Sequence, residues 1–200
     1  MIARPSVPQH LFAALLTAAL VLTATARPAA GGYREGMALY ARCQFAAAAV
    51  EFQPAAEKGS ARAQYMLGRL YVDGKGVARD PALGAEWFRR SAEQGFVRAQ
   101  YALGALLYER RDHAGAQTWW LRAARAGSAE AMTSLGFLYA DASTGQRDYV
   151  QARMWYELAS RHGAPDSFRL RAALDRSLSM AQVSKALQLA QRWQPAAPTY

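Results

Sequence analysis

The chain has 200 residues, with 24 Lys and Arg residues against 15 Asp and Glu residues and a formal net charge of +9. This length suffices for one domain with a sizeable apolar core. The single cysteine, Cys43, excludes an internal disulfide framework, and its apolar neighbours predict a small buried residue. In an exported protein the positive charge favours an acidic protein, an anionic membrane surface or a cell-wall polymer as partner, and no nucleic acid.

The N-terminus has the layout of a secretory signal peptide. An apolar run extends from Leu11 to Leu22, and Arg4 is the only charged residue before Arg27. The small residues Ala24 and Ala26 then fit a cleavage site. We therefore predict a signal peptide at 1–26 and a periplasmic or secreted protein. The alternative is an uncleaved inner-membrane anchor, for which the run is short of the ~20 residues that a spanning helix needs.

A phrase of sequence recurs along the rest of the chain. "AEKGSARAQYMLG" occupies Ala56–Gly68, and "AEQGFVRAQYALG" follows 36 residues later at Ala92–Gly104. A third copy, "ARAGSAEAMTSLGFLYADASTG", occupies Ala124–Gly145. Four glycines mark equivalent turns: Gly59, Gly95, Gly127 and Gly163. A period of this length indicates an array of stacked helical units.

Each unit is expected to contain two helices. In the first helix Ala63, Leu67 and Tyr71 recur every four residues, which places them on one face. The second helix carries an aromatic pair before the closing glycine, which we expect to pack between successive units. The pairs are Trp87-Phe88, Trp119-Trp120 and Trp155-Tyr156. Residues 27–200 are thus predicted to form about ten helices and no sheet.

The phrase "AQYMLGRLYVDGKGVARDPALGAEWFRRSAEQG" at Ala63–Gly95 resembles the Sel1-like repeat, a relative of the tetratricopeptide repeat. The resemblance implies an all-α, right-handed α-solenoid of stacked antiparallel helix pairs. Sel1-like repeats would cover 59–163, after a degenerate leading unit at 27–58 in which Phe52 stands where the aromatic pair should be. The segment 164–193 would form C-terminal capping helices, and 194–200 a disordered tail.

The sequence contains no motif for catalysis or for binding a metal or a cofactor. The histidines and the single cysteine lack metal-ligand spacing, and no serine has the context of a nucleophile. "DGKG" at 73–76 lacks the lysine-serine ending of a phosphate loop, so its glycines are interpreted as turn residues. His113 is expected in a loop and His162 at a helix end. We therefore predict no catalytic residue, no metal ligand and no cofactor.

The resemblance implies that the first helix of each unit lines the concave side of the array. Residues beside the core face would then form a partner-binding groove, accompanied by Glu130 and Thr133. The groove residues predicted in this way are Arg62, Tyr65, Arg69, Arg98, Tyr101, Tyr108 and Phe137. Tyrosine and arginine are enriched at interface hot spots. The alternative is that Tyr65 and Tyr101 only pack between neighbouring first helices.

The resemblance also implies a function, since Sel1-like proteins typically serve as adaptors in signalling or envelope assemblies. The expected function is a non-catalytic interaction module of the bacterial cell envelope that binds a protein or peptide. Binding of cell-wall polymer or an anionic membrane surface is the alternative, because of the positive charge. A hydrolase that interacts with β-lactams is less favoured, because the Sel1-like proteins with that property are disulfide-rich.

Overall fold

The computed structural model describes residues 32–145 and 147–194. Within these ranges the chain forms ten α-helices, one short 3-10 turn at Ala142–Thr144 and no strand. The predicted signal peptide at 1–26 and residues 195–200 of the predicted tail lie outside the described residues. The helices are α1 (Gly32–Ala41), α2 (Phe45–Glu57), α3 (Ala61–Asp73), α4 (Pro81–Glu93), α5 (Val97–Glu109), α6 (His113–Arg125), α7 (Ala129–Ala140), α8 (Tyr149–Arg161), α9 (Ser167–Asp175) and α10 (Met180–Arg192).

The helices pack in chain order. Each helix from α1 to α8 contacts the next one, and both α9 and α10 pack on α8. The pairs α1–α2, α3–α4, α5–α6 and α7–α8 are four repeat units. This arrangement confirms the all-helical solenoid that the sequence predicts. None of the described helices is both long and apolar enough to cross a membrane.

Local chemistry defines the ends of the helices. Asp80, Asp112 and Asp148 cap the second helix of the second, third and fourth units, because each carboxylate accepts hydrogen bonds from backbone amides of the first turn. Ser60 and Ser128 cap α3 and α7 in the same way. The chain leaves each unit through one of the four repeat glycines, whose φ values lie between 85° and 92°. Only glycine takes this backbone conformation without strain.

The turn inside each unit gives an unexpected result for Cys43. In the longer turns Gly74 and Gly145 adopt positive φ. In the two shorter turns the left-handed residues are Cys43, with φ 59°, and Arg111, with φ 65°. Cys43 is therefore an exposed turn residue with a free thiol, and the prediction that it is buried was wrong. The apolar composition of its neighbours belongs to the helices on either side of the turn.

One contact between a glycine and an aromatic ring recurs in all four units. In each unit a Cβ on the glycine of the first helix would lie within 2.7 Å of a ring of the second helix. The pairs are Gly36–Phe52, Gly68–Phe88, Gly104–Trp120 and Gly136–Tyr156. The missing side chain lets the two helices approach, and the ring fills the space between them. The α1–α2 pair thus uses the same contact as the three later units.

The aromatic pairs differ in depth. Trp87, Trp155 and the second member of every pair are buried in the core. Trp119 is only half-buried, and the guanidinium of Arg122 lies 4.5 Å from its ring centroid. The prediction that the aromatic pairs form core therefore does not extend fully to Trp119. The buried ring of that unit is Trp120.

A buried ion cluster attaches α9 to α8. The Arg153 side chain is 6% exposed, and its Nε donates to Asp175 Oδ1 at 2.8 Å. Glu157 accepts hydrogen bonds from Arg171 at 2.6 Å and from Arg161 at 3.1 Å. Burial by itself would raise the pKa of the Glu157 carboxyl, but the hydrogen bonds and charges of Arg171 and Arg161 outweigh it and lower that pKa.

Candidate binding groove

Two adjoining cavities run across the first helices of the second, third and fourth units. The first has a volume of about 600 Å³ and extends from Tyr65 on α3 to Glu130 on α7. The second has a volume of about 510 Å³ and extends from Tyr101 on α5 to the segment after α8. Tyr101, Gly127 and Glu130 line both cavities. We call this continuous surface the groove.

The groove contains four of the seven residues predicted for it from the sequence. Tyr65 and Arg98 line the first cavity, Phe137 lines the second, and Tyr101 lines both. Glu130 and Thr133, which the sequence placed on the same stripe, also line it. The spacing of the repeat therefore brings these side chains together.

Two of the predicted arginines, Arg62 and Arg69, do not line the groove. Arg62 is exposed on the first turn of α3. The guanidinium of Arg69 lies over two rings, 5.7 Å from the centroid of Tyr40 and 5.9 Å from that of Tyr65. A cation over an aromatic face is stabilised by the negative potential of the ring. Arg69 therefore stacks on the ring of Tyr65, which also packs on Phe88 and Phe96.

The two tyrosines of the groove have mixed environments. The ring of Tyr65 is half-buried and packs on Phe88 and Phe96, with centroid distances of 5.6 Å and 5.4 Å. Tyr101 is also half-buried, and its backbone carbonyl accepts a hydrogen bond of 3.1 Å from Trp120 Nε1. Each tyrosine both packs against neighbouring helices and lines the groove. Phe137 is more accessible, with 50% of its surface exposed.

Tyr108 is the exception among the predicted groove residues. It lines neither cavity, and its ring packs against His113 and Trp120 at 5.1 Å and 5.6 Å between centroids. Its hydroxyl donates to Asp141 Oδ2 at 2.9 Å. Burial and this hydrogen bond raise the pKa of the Tyr108 hydroxyl. His113, expected in a loop, is the first residue of α6.

The carboxyl of Asp141 is held in its ionised form by hydrogen bonds. The backbone amide and the hydroxyl of Ser143 both donate to it at 2.8 Å, and Tyr108 is a third donor. These bonds lower the pKa of Asp141, with the Ser143 amide contributing most. Tyr108 and Asp141 therefore join the third unit to the turn inside the fourth, which is a structural role.

The segment between α8 and α9 was missed by the sequence analysis of the groove. It lines the second cavity with residues from His162 to Ser167. The hydroxyls of Ser167 and Thr133 lie 3.2 Å apart, which brings the start of α9 close to α7. As predicted, His162 ends its helix, and its Nδ1 lies 2.9 Å from the Leu158 carbonyl. The fourth repeat glycine, Gly163, was the signal in the sequence that another turn lies at this position.

Charged and hydroxyl-bearing side chains accompany the aromatic rings of the groove. Arg98 and Glu130 line the same cavity with opposite charges, and the Ser128 hydroxyl donates to Glu130 Oε2 at 2.9 Å. Among the described residues no group of three or more His, Cys, Asp and Glu side chains could hold a metal ion. The groove therefore offers aromatic surface, one guanidinium, one imidazole, two carboxylates and several hydroxyls.

Comparison with known proteins assigns the chain to a family. The family model for the Sel1 repeat matches residues 61–96, 97–128 and 129–163, which together make up about half of the chain. The protein therefore belongs to the Sel1 repeat family. Proteins of this family generally bind protein partners, and the family is generally of a non-catalytic scaffold type.

Solved structures with the same architecture agree with this assignment. A Sel1 repeat protein from Oxalobacter formigenes is 26% identical, with a TM-score of 0.63 over 78% of this chain and 67% of the other. A protective antigen present in uropathogenic Escherichia coli strains, which displays an SLR fold, is 25% identical with a TM-score of 0.52. That alignment covers 80% of this chain and 44% of the antigen, so this chain spans less than half of it. No curated protein matches the sequence.

Proposed function

We propose that this protein is a non-catalytic adaptor that binds a peptide segment of a protein partner in the groove. The observation that carries the proposal is the alignment of Tyr65, Tyr101 and Phe137 along two adjoining cavities. The three residues come from three successive first helices, so one extended segment can contact all of them. The protein-binding character of Sel1 repeat proteins supports the same function.

The groove favours a peptide over a compact small molecule. Its two cavities are open and share one wall at Tyr101, Gly127 and Glu130, whereas a small-molecule site usually encloses most of its ligand. Half-exposed aromatic rings supply contact area, and Arg98 and Glu130 can pair with charges of either sign. These are the features of a surface that recognises an extended chain through several anchor points.

The experiment is the selection of binders from a library of random twelve-residue peptides displayed on phage, with the purified protein as bait. We expect a recurring peptide motif whose binding falls about tenfold in Tyr101→Ala, as is typical of an interface hot spot. The matched control is Tyr149→Ala, which removes an exposed tyrosine outside the groove. Equal binding by wild type and Tyr101→Ala would reject the groove as the binding surface.

We further propose that the protein acts in the cell envelope. The support is the apolar run Leu11–Leu22 followed by the small residues Ala24 and Ala26. N-terminal sequencing of the protein from its native host should find Arg27 as the first residue. A protein that keeps Met1 and sediments with the inner membrane would indicate the anchored alternative.

Binding to an anionic polymer is the second candidate, because the formal net charge of the chain is +9. Attraction between exposed charges is screened within about 8 Å at physiological ionic strength and within about 3 Å at 1 M salt. Retention on isolated cell wall or on anionic vesicles should therefore be lost in 1 M salt if charge carries it. Peptide binding through aromatic anchors should persist under the same conditions.

A further inference from the structure

In the second repeat unit a hydrogen bond joins the side chains of two glutamines. Gln64 on α3 is 5% exposed, and its Nε2 donates to the Ala56 carbonyl at 3.0 Å. Its Oε1 accepts a hydrogen bond of 2.7 Å from Nε2 of Gln94, the residue that follows α4. Both ends of the buried Gln64 amide therefore have a partner.

The third unit repeats only half of this arrangement. Gln100 on α5 is 7% exposed, and its Nε2 donates to the Ala92 carbonyl at 3.1 Å. This bond fixes the orientation of the amide, because only the nitrogen end can donate to a carbonyl. Gln100 Oε1 is buried and has no hydrogen-bond partner. A buried acceptor without a donor is a cost in free energy, and such groups are rare in folded proteins.

The missing donor is explained by the sequence. Gln94 stands directly before Gly95, and the residue directly before Gly127 is Ala126. The alanine side chain carries no donor and is too short to reach Gln100. In the fourth unit Met132 occupies the position of the glutamine, so it has no amide there. Among the described repeat units, the third alone combines a buried glutamine with an alanine before the closing glycine.

Ala126, which stands in the place of Gln94, lies at the surface of the groove, and Gln100 lies beneath the cavity lining. Ala126 is exposed and lines the first cavity together with Tyr65, Arg98 and Tyr101. A group that enters over Ala126 would take the path that the Gln94 side chain follows toward Gln64. Gln100 Oε1 is buried, so the side chains around it must move apart to admit the group, which must be slender and must end in an N–H or O–H donor.

We propose that this place is a carboxamide subsite of the groove, in which Gln100 Oε1 accepts a hydrogen bond from an Asn or Gln side chain of the bound peptide. The inference rests on the proposed function, because the peptide must lie in the groove. A lysine is disfavoured because its ammonium would be buried against Gln100 Oε1 without a counter-ion, and burying an unpaired charge costs far more than burying a neutral amide. A glutamate has no donor at neutral pH. The primary amide of Asn or Gln carries a donor and no charge. It would make the same hydrogen bond to Gln100 that Gln94 makes to Gln64 in the preceding unit.

The test compares peptides selected on two forms of the protein. For the wild type we expect Asn or Gln at one fixed position of the selected motif, and its replacement by Ala should weaken binding about three- to tenfold. Ala126→Gln supplies the carboxamide from the protein itself. On this variant the Asn or Gln preference should disappear, while sensitivity to Tyr101→Ala remains.

A melting experiment gives a readout that needs no peptide. Ala126→Gln should melt at a higher temperature than Ala126→Met, because the two side chains are similar in length but only glutamine can donate to Gln100 Oε1. If peptides bind in the groove without any preference for Asn or Gln, the subsite is rejected and the proposed function stands. If no peptide binding depends on Tyr101, the proposed function is rejected together with the subsite.

Discussion

The five-membered ring of Trp120 on α6 lies directly over Gly104 on α5. A Cβ at Gly104 would lie 2.5 Å from both Cδ1 and Nε1 of the indole. The same indole nitrogen donates to the Tyr101 carbonyl on α5 at 3.1 Å, so the ring cannot move away without breaking a partly buried hydrogen bond. The contact therefore fixes the distance between the two helices of the third unit.

Gly104→Val should destabilise the protein by about 1–3 kcal/mol, because the added side chain overpacks the space that Trp120 fills. The measurement is the free energy of unfolding from urea denaturation followed by circular dichroism. Ala114→Val is the control, since it adds the same β-branched side chain at an exposed position of α6. Equal losses in the two variants would contradict the assignment of Gly104 as a packing site.

Truncation of the two adjacent tryptophans should separate core from surface. Trp120→Ala removes a ring that is 4% exposed and should cost about 3–5 kcal/mol. Trp119→Ala, at a position that the sequence also assigned to the core, removes a half-buried ring stacked with Arg122 and should cost clearly less. Thermal melting of both variants checks the order. A larger loss for Trp119→Ala would show that the cation–π pair contributes more than the core contact.

The sequence predicts the repeats because the same residues recur wherever the same contact recurs. The turns at the four repeat glycines and the buried second ring of each aromatic pair were therefore predicted correctly, whereas Trp119 is only half-buried. The period also placed Tyr65, Tyr101 and Phe137 on one surface. Tyr108 was placed wrongly. It lies about two turns further along α5 than Tyr101, the last residue of that helix to line the groove. Its hydroxyl reaches Asp141, which lies 33 residues away in the chain. Such a partner cannot be identified from helical spacing.

Two other features do not follow from the repeat pattern, although Gly163 marks the turn at one of them. The turns at Cys43 and Arg111 adopt a glycine-like conformation without glycine, so composition gave no indication of them. The second cavity of the groove is lined in part by the segment between α8 and α9, which lies beyond the last complete repeat unit. The helix that follows this segment, α9, is held on α8 by the ion pairs Arg153–Asp175 and Glu157–Arg171. Tertiary contacts of this kind are not periodic and cannot be read from the repeat.

Stability should fall at acid pH through Glu157. Its pKa is lower in the folded protein than the ordinary value of 4.5, so the folded state releases this proton more readily than the unfolded state. The stabilisation is therefore complete above about pH 4.5 and is lost as the pH falls through the lowered folded value. Thermal melting between pH 7 and pH 3 should show a steeper loss for wild type than for Glu157→Gln.

At pH 7 Glu157→Gln should cost on the order of 3 kcal/mol, because it leaves Arg171 and the buried Arg153 without their shared anion. Glu86→Gln is the control, since Glu86 pairs with Arg90 at an exposed site where the ion pair contributes about 0–1 kcal/mol. A pH profile of Glu157→Gln parallel to that of wild type would show that Glu157 does not carry the acid sensitivity.

Phe137 offers the cleanest test of the groove. Half of its surface is exposed, and its ring meets the protein through an edge contact with Tyr156 at 5.7 Å between centroids. Truncation of an interface hot spot typically costs ~2 kcal/mol or more of binding free energy, so Phe137→Ala should weaken peptide binding by at least about tenfold. The melting temperature should change little, because little core packing is lost. Tyr65→Ala is a poorer test, since its ring also packs on Phe88 and Phe96.

The matched control is Phe168→Ala, which removes a ring of similar exposure on α9 that does not line the groove. Affinity from isothermal titration with a selected peptide, measured beside thermal melting, separates the outcomes. Normal melting with unchanged affinity would place the partner on another face of the array.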